Sequence, residues 1–409
     1  MKNRTIAWSQ LSAVLLLALL PLGTELLPGR LAQVGAAAWL CPLLAGVGVV
    51  ALGLLVSRRC PPGRRDWGER VTRRWGRRTA RVLAGVFLLW GLFLAAAHAE
   101  RIGSRLSDSL RAAPVLITAA VLLLAGWMAA GGLPAFARAC EVFLLAVGAG
   151  FVVILLFGIF RLDWSLTLLW TREELAQVPA GALSTAGTMA MGGYALFLLG
   201  DVRPEAGGAD GMLRRLALLF ALLAGAVLLV LGQLGSALAA QVDRPFLQMV
   251  SGLGFEGAFQ RLEELVSALW VLGDVALLGL LLLCLGRLLA WLLDRPVGKG
   301  KSWLLTGAVF LLGLPAALGD HPLAGTWVPF GNLAVVGLLV LTLLGTGEEK
   351  SWKKAKKGVD IPGWAWYSIK AVARQGRKSR KKRRKNFLTK ALSCSKIQFT
   401  RESGVHLVN

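Results

Sequence analysis

The sequence predicts an all-α membrane protein of about ten transmembrane helices, arranged as an inverted 5+5 repeat with broken helices 1 and 6. Of its 409 residues, 56% are hydrophobic and only 17% are charged, and the mean hydropathy is +0.62. This composition is typical of integral membrane proteins. Long uncharged stretches recur along the chain, and two of them contain residues that interrupt helices. These observations together predict the fold class.

Ten stretches come close to the ~20 apolar residues that a membrane-spanning helix requires. They are residues 5–24, 31–57, 82–99, 112–137, 142–160, 175–200, 216–242, 265–286, 302–319 and 322–347. Several exceed the bilayer thickness, so we expect tilted helices or later helix starts within these limits. The ten stretches fill residues 1–347, which we predict to form one transmembrane domain.

The first stretch contains the run LLPLGTELLPG, where an ordinary membrane helix would have no breaks. Pro21 removes a backbone donor, Gly23 and Thr24 follow, and Glu25 places a carboxylate near hydrocarbon depth. Backbone groups freed in a bilayer must be covered by protein or face a water-filled cavity. The run therefore predicts unwinding at Pro21–Thr24 beside a binding cavity. The alternative is a simple proline kink with Glu25 reaching the lipid headgroups.

The sixth stretch contains a second candidate interruption, MAMGGYALFLLG. Gly192 and Gly193 can unwind a helix, and Tyr194 would bring a hydroxyl group to the gap. Interruptions in helices one and six are expected where two inverted five-helix repeats meet at the membrane midplane. Close helix packing through small residues is the alternative explanation for the two glycines.

Asp274 lies inside the 22-residue apolar stretch 265–286. A carboxylate there costs about 2.5 to 3.5 kcal/mol on insertion scales, so we expect it to face the interior of the bundle. It could serve as a proton or cation site, or as the counter-charge for a ligand amine. The alternative is a structural pairing with Tyr194, Thr188 or Gln233 and neutralisation by protonation.

Lysine and arginine between the predicted helices indicate the orientation. With both termini inside, cytoplasmic segments of residues 1–347 carry nineteen of these residues and outer segments carry eight. The positive-inside rule therefore favours cytoplasmic termini. The loop 57–80 is the strongest anchor and could include a short surface helix. We expect His98 and Glu100 at the outer membrane interface, and Arg287 at the inner one.

No motif in the sequence predicts an enzyme, a cofactor or a metal site. The chain has no nucleophile elbow, HExxH motif or P-loop, and its three histidines lie far apart. The five cysteines form no CxxC pair, so we expect apolar or loop positions for them.

Residues 348–409 differ in composition from the rest of the chain. They contain six arginines and twelve lysines, whereas residues 1–347 contain twenty-five arginines and three lysines. We predict a basic, disordered cytoplasmic tail that lies on anionic lipid headgroups. Nucleic-acid binding through RKSRKKRRK is the less favoured alternative, so no nucleic-acid partner is expected.

Three segments resemble the B-subunit family of spore germinant receptors, endospore germination permeases of the amino acid–polyamine–organocation transporter superfamily. They are the opening SQLSAVLLLALLPLGTELLPG, the helix entry GLPAFARACEVF, and DRPFLQMVSGLGFEGAF with the following QRLE and LWV runs. The resemblance covers residues 1 to about 347 and makes this a permease-like domain. The sequence departs from the family in helix six, where Tyr194 follows Gly193, and at Asp274.

The resemblance implies a germinant-receptor subunit that binds a small nutrient, typically an amino acid, and triggers spore germination. It implies A-type and C-type receptor subunits as partners, and a multi-pass location in the spore inner membrane or the bacterial cytoplasmic membrane. The alternative function is active secondary transport of amino acids or amines. The candidate binding residues are Pro21, Gly23, Thr24, Gly192, Gly193, Tyr194 and Asp274.

Overall fold

A computed structural model describes residues 5–59, 66–203, 205, 207–253, 262–294, 299–318, 323 and 325–345. The chain divides into two units, Met1–Gly347 and Glu348–Asn409. The second unit, Cys60 and His321 lie outside the described residues. The disorder and lipid contacts predicted for the tail therefore stay predictions.

The described residues form twelve α-helices and two 3₁₀ segments, with one isolated backbone bridge between Ile6 and Val202. The helices are α1 (Trp8–Leu31), α2 (Leu40–Arg59), α3 (Trp67–Leu110), α4 (Pro114–Ala130), α5 (Leu133–Ile159), α6 (Ser165–Leu168), α7 (Arg172–Met189), α8 (Gly208–Gln241), α9 (Pro245–Ser251), α10 (Leu262–Leu293), α11 (Lys299–Leu318) and α12 (Val328–Gly345). The 3₁₀ segments are Ala32–Trp39 and Ala190–Asp201.

The predicted membrane spans have helical counterparts throughout the described residues. Seven helical stretches are long and apolar enough to cross a membrane, and the first of them, Trp8–Arg59, contains both α1 and α2. Pro114–Ala130 and Ser302–Leu318 are shorter apolar helices. All ten predicted stretches overlap one of these helices, which confirms a nearly all-helical membrane fold.

Helix α1 departs from the predicted course of the first span. Its backbone stays α-helical through Pro21 and Thr24, so the unwinding expected there does not occur in this structure. Pro21 cannot bond the carbonyl of Leu17, and Gly273 of α10 packs against both residues. Close packing by a residue without a side chain thus covers the freed carbonyl and accommodates the proline. The α-helix changes to 3₁₀ geometry only at Ala32.

The interruption in the sixth span lies where the sequence predicts it. Helix α7 begins with a capping box, in which Thr171 and Glu174 bond each other's backbone amides. It ends at Met189, and the chain continues as the 3₁₀ segment Ala190–Asp201, which contains Gly192 and Gly193. A 3₁₀ stretch in the middle of a span is typical of a hinge or a strained segment.

Helix α3 is longer at both ends than the predicted span 82–99. It begins at Trp67, so a helix does occupy the described part of the loop 57–80, with a break at Gly76, whose φ is +85°. It also continues beyond Ala99 to Leu110. This extension moves Arg105 from a predicted outer loop onto a helix that packs against α10.

Helix α10 lies at the centre of the bundle. Ten consecutive residues, Gly273 to Leu282, are buried on every face of the helix. An apolar helix buried all round belongs in the interior of a bundle, so the core forms around this segment. Asp274 is the one ionisable residue within it.

Candidate ligand site

A buried ion cluster joins α1, α3 and α10. Arg105 of α3 contacts Asp274 of α10 through one guanidinium nitrogen, and its other terminal nitrogen donates to Glu25 Oε2 of α1 at 2.6 Å. The side chains of Arg105 and Asp274 are 2% and 1% exposed, and that of Glu25 is 10% exposed. One guanidinium therefore bridges two carboxylates in the interior of the bundle.

His98 completes the cluster. It lies seven residues before Arg105 on α3, a separation that places the two side chains on the same helix face. Its Nε2 lies 3.5 Å from Asp274 Oδ1, and its side chain is 1% exposed. The predicted place for His98 at the membrane interface is therefore wrong, because α3 extends past it and α10 covers it.

Several polar atoms of the cluster lack hydrogen-bond partners among the described residues. They are Arg105 Nε, His98 Nδ1 and Ser267 Oγ of α10, and also Asp274 Oδ1 and His98 Nε2, which lie 3.5 Å apart as an ion pair. Buried polar groups are normally bonded, and an unsatisfied one costs about 1–3 kcal/mol. Such a concentration of unsatisfied atoms indicates a place for a ligand or water.

The charges of the cluster are unbalanced when His98 is neutral, with two carboxylates against one guanidinium. Burying ions is expensive unless each charge is paired and hydrogen-bonded, so ion pairs of this kind contribute weakly to stability. The cluster thus places one cation, Arg105, and two anions, Asp274 and Glu25, side by side in the interior.

A small cavity of about 10 Å³ lies beside Glu25 and Arg105. It is lined by Glu25, Arg105, Arg244, Phe246, Leu247, Ser267 and Trp270. This volume suffices for about one water molecule. The site is therefore closed in this structure, and a larger ligand requires movement of its walls.

Aromatic side chains close one wall of this cavity. Trp270 of α10 and Phe246 of α9 are stacked, with ring centroids 5.7 Å apart, and Phe151 of α5 lies 6.3 Å from Phe246. Trp270 Nε1 also donates to Thr24 Oγ1 at 2.9 Å. The stack joins the short helix α9 to α1 and α10, so a shift of α9 would open the cavity.

The structure brings three of the predicted site residues together at the contact of α1 with α10. Pro21 packs against Gly273, the neighbour of Asp274, and Thr24 bonds Trp270 one turn earlier on α10. Gly23 faces away, and a Cβ atom at this position would lie 2.4 Å from Leu223 Cδ2 of α8. Its role is close helix packing.

The predicted residues of the sixth span lie elsewhere. A Cβ atom on Gly192 would lie 2.7 Å from Leu19, and one on Gly193 would lie 2.8 Å from Val336. Both glycines line an apolar groove on another side of α1. Tyr194 is buried against α3, where its hydroxyl donates to the carbonyl of Phe87 at 2.9 Å.

Asp274 has none of the structural partners that the sequence suggested. Tyr194 bonds Phe87, Thr188 accepts from Arg30 and donates to the carbonyl of Ser184, and the Gln233 amide donates to the carbonyl of Gly158. The actual partner, Arg105, lies between two predicted spans in the sequence, where a loop is expected, so the sequence does not identify it. The separation of His98 and Arg105 by two helical turns was the available signal.

A second ion cluster lies toward the C-terminal end of α10. Arg287 contacts Asp201 at the end of the 3₁₀ segment and lies 3.5 Å from Asp66, which precedes α3. The chain start joins this region, since Ile6 N donates to Asp201 O at 2.9 Å. The central helix is therefore connected to neighbouring parts of the bundle by ionic contacts at two places, Asp274 and Arg287. Among the described residues, no group of three or more His, Cys, Asp or Glu side chains is placed to hold a metal ion.

No protein-family model and no curated protein sequence matches the chain. Its fold is similar to that of a Na⁺-coupled sialic acid symporter in a substrate-bound outward-open state, with a TM-score of 0.57 and 11% identity. That match covers 84% of this chain and 79% of the symporter. The fold is also similar to that of MhsT in complex with L-phenylalanine, with a TM-score of 0.54 and 16% identity over 83% of this chain and 93% of MhsT.

These likenesses are between structures of low sequence identity, so they show the fold. The fold shared with these two structures is the LeuT fold, which is built from inverted repeats. The predicted fold class is therefore confirmed. Together with the apolar helices, the comparison identifies this chain as a multi-pass integral membrane protein with the LeuT fold.

Proposed function

We propose that the protein binds a small zwitterionic or amine-bearing nutrient, such as an amino acid, at the ion cluster of Glu25, Arg105 and Asp274. The observation that carries this proposal is the group of buried polar atoms without hydrogen-bond partners among the described residues. Retaining them in the interior is costly unless a ligand satisfies them. We expect the protein to bind this nutrient without covalent chemistry, and therefore not to act as an enzyme.

The charges of the cluster match those of an amino acid. A ligand carboxylate would bond Arg105, whose planar guanidinium suits two parallel hydrogen bonds. The ligand ammonium would face Asp274 or Glu25. Binding would thus replace ion pairs within the protein with ion pairs to the ligand. The side chains of the cluster are already removed from water in the folded protein, so binding does not have to desolvate them again. Gly192, Gly193 and Tyr194 act in this proposal as a hinge, since the 3₁₀ segment can change helix type when the bundle opens.

We further propose that the protein acts as the B-type subunit of a spore germinant receptor. The resemblance of the segments around α1, α5 and α9 to that receptor family supports this role. Its partners would be an A-type membrane subunit, a C-type lipoprotein and the lipid bilayer of the spore inner membrane. In this role the ligand would be sensed, and binding would be communicated to the other subunits.

Secondary transport of amino acids or amines is the second candidate, and a specific observation favours it. Ionic contacts join α10 to its neighbours at two levels, at Asp274 with Arg105 and at Arg287 with Asp201 and Asp66. Alternating access requires two such sets of contacts that open in turn. The likeness in fold to two transporters supports the same reading.

A ligand screen followed by uptake measurements tests these proposals. Purified protein would be heated with individual amino acids and amines, and a ligand should raise the unfolding temperature by mass action. The ligand should no longer raise the unfolding temperature of Asp274→Asn. It should still raise that of the control Asp210→Asn on α8, and this difference would support a binding site at the ion cluster. Accumulation of the radiolabelled ligand in proteoliposomes would favour transport, and saturable binding without accumulation would favour the receptor. Stabilisation that is equal in both variants would contradict the proposed site.

A further inference from the structure

An apolar groove of about 450 Å³ lies on the side of α1 that faces away from the ion cluster. Its walls come from α1, α2, α7, α8, α12 and the 3₁₀ segment that contains Gly192 and Gly193. The volume falls within the range of about 300–1,000 Å³ typical of small-molecule sites. The ion cluster does not border this groove, so the proposed nutrient site leaves it unexplained.

One wall of the groove is open to the membrane. Three of its lining leucines, Leu44, Leu52 and Leu183, are 46%, 41% and 51% exposed. Apolar side chains exposed on a membrane-spanning bundle face lipid chains. The groove is therefore reachable from the hydrocarbon region, and its lining suits an acyl chain.

The groove ends at a basic surface. Val56 and Ser57 line its end, and the exposed Arg58 and Arg59 follow directly on α2. Leu213 of α8 lines the same end, since a Cβ atom on Gly53 of α2 would lie 2.5 Å from Leu213. The exposed Arg214 follows Leu213 directly on α8. Three exposed arginines from two adjacent helices thus follow directly after residues that line one end of the apolar groove.

This end of the groove is fixed to the rest of the bundle. The Arg215 guanidinium donates to Ser9 O at 3.2 Å and to Ser12 Oγ at 2.5 Å, which holds α8 against the start of α1. Trp8 is buried at the same end and lines the groove. The loop 57–80 that follows α2 is the most basic of the predicted cytoplasmic loops between spans. The basic end therefore lies where anionic headgroups of the inner leaflet are expected.

From this arrangement we infer a binding site for an anionic phospholipid. One acyl chain lies in the groove beside Leu15, Leu19 and Gly193, and the phosphate headgroup bonds Arg58, Arg59 and Arg214. Basic pockets between transmembrane helices on the cytoplasmic side are suited to such headgroups. Because Gly192 and Gly193 form part of the wall, the bound lipid would contact the 3₁₀ segment of the sixth span.

Native mass spectrometry of the full chain in detergent can test the site with phosphatidylglycerol and phosphatidylcholine as probes. The wild-type protein should retain phosphatidylglycerol in preference to phosphatidylcholine. Replacing Arg58, Arg59 and Arg214 by glutamine should weaken the binding of phosphatidylglycerol about fivefold for each arginine. The matched control replaces Arg111, Arg161 and Arg172, at the predicted outer end, and should retain wild-type binding.

The groove itself is tested with Gly48→Phe. Gly48 lines the groove, and a Cβ atom there meets no atom within 4 Å, so the new ring can enter the groove without distorting α2. Gly148→Phe on α5 is the control, since a Cβ atom there also meets no atom within 4 Å. We expect loss of bound phosphatidylglycerol in Gly48→Phe alone. Unchanged retention in Gly48→Phe, equal retention of both lipids by the wild type, or no retained lipid would overturn the inference.

Discussion

Replacing Arg105 by methionine would remove the only guanidinium that contacts both Asp274 and Glu25 among the described residues. Methionine is long, flexible and apolar, so it fills most of the vacated space without a charge. Two carboxylates would remain in an interior where Asp274 is 1% exposed. Removing one partner of a buried ion pair costs about 3–5 kcal/mol because the other charge is left without compensation.

The loss can be measured by thermal unfolding in detergent with a thiol-reactive fluorophore. Cys41, Cys140 and Cys284 are buried and free, so they react only as the helices separate. Arg138→Met on α5 is the matched control. Its guanidinium is exposed and bonds only the carbonyl of Pro134 among the described residues, so we expect a change within about 0.5 kcal/mol.

A double-mutant cycle with Asp274→Asn separates the ion pair from general damage to the core. The loss of unfolding free energy in the double variant should be about 0.5–3 kcal/mol smaller than the sum of the losses in the two single variants. The reason is that Asp274→Asn removes the charge that Arg105→Met leaves unpaired. The reasoning is refuted if Arg105→Met destabilises no more than Arg138→Met, or if the effects of the two cluster variants simply add.

Four further predictions follow from other parts of the structure. Gly273→Ala should cost about 1–3 kcal/mol, since its Cβ atom would lie 2.4 Å from Pro21 Cγ, whereas Gly286→Ala meets no atom within 4 Å and should be neutral in the same unfolding assay. Gly193→Val should abolish the ligand-induced thermal shift while the protein still inserts, and a normal shift would limit Gly193 to packing. Hydrogen bonds from Arg81 and Arg77 lower the pKa of Asp294 below its ordinary value of 3.8. These bonds therefore stabilise the fold above pH 3.8, and their contribution is lost as the pH falls through the lowered pKa. Asp294→Asn should reduce the acid sensitivity of unfolding measured between neutral and acidic pH. Cysteines placed in the loop 57–80 of a cysteine-free chain should resist an impermeant thiol reagent in intact cells, and those placed at 320–325 should react; reversed labelling would overturn the orientation.

Much of the fold could be predicted because the bilayer imposes a length and an apolar composition on every spanning helix. The ten stretches and the interruption near Gly192 follow from these constraints. The course of α1 could not be predicted in this way. Pro21 interrupts an isolated helix, but whether it unwinds the chain depends on what covers the freed carbonyl of Leu17. That partner, Gly273, is some 250 residues away in sequence, and no local pattern identifies it.

The sequence predicts one member of the ion cluster, Asp274, but not its partner Arg105. The cost of a charge in the membrane placed Asp274 in the interior, where the structure has it. Arg105 lies in a short polar run after Ala99, between the predicted spans 82–99 and 112–137, and such a run is typical of a loop. A charged residue at the end of an apolar stretch can belong to a loop or to a buried helical extension. Sequence alone does not decide between the two when the partner comes from another helix.

The most direct test of the account is a titration of the stabilising amino acid or amine against purified wild-type protein, Asp274→Asn and the control Asp210→Asn, with matched amounts of folded protein. The account predicts that Asp274→Asn weakens binding by about 1–3 kcal/mol, or roughly 5- to 150-fold, as expected for a lost charge-assisted hydrogen bond. Asp210→Asn should bind as the wild type does. The same dissociation constant for all three proteins would contradict a binding site at the ion cluster.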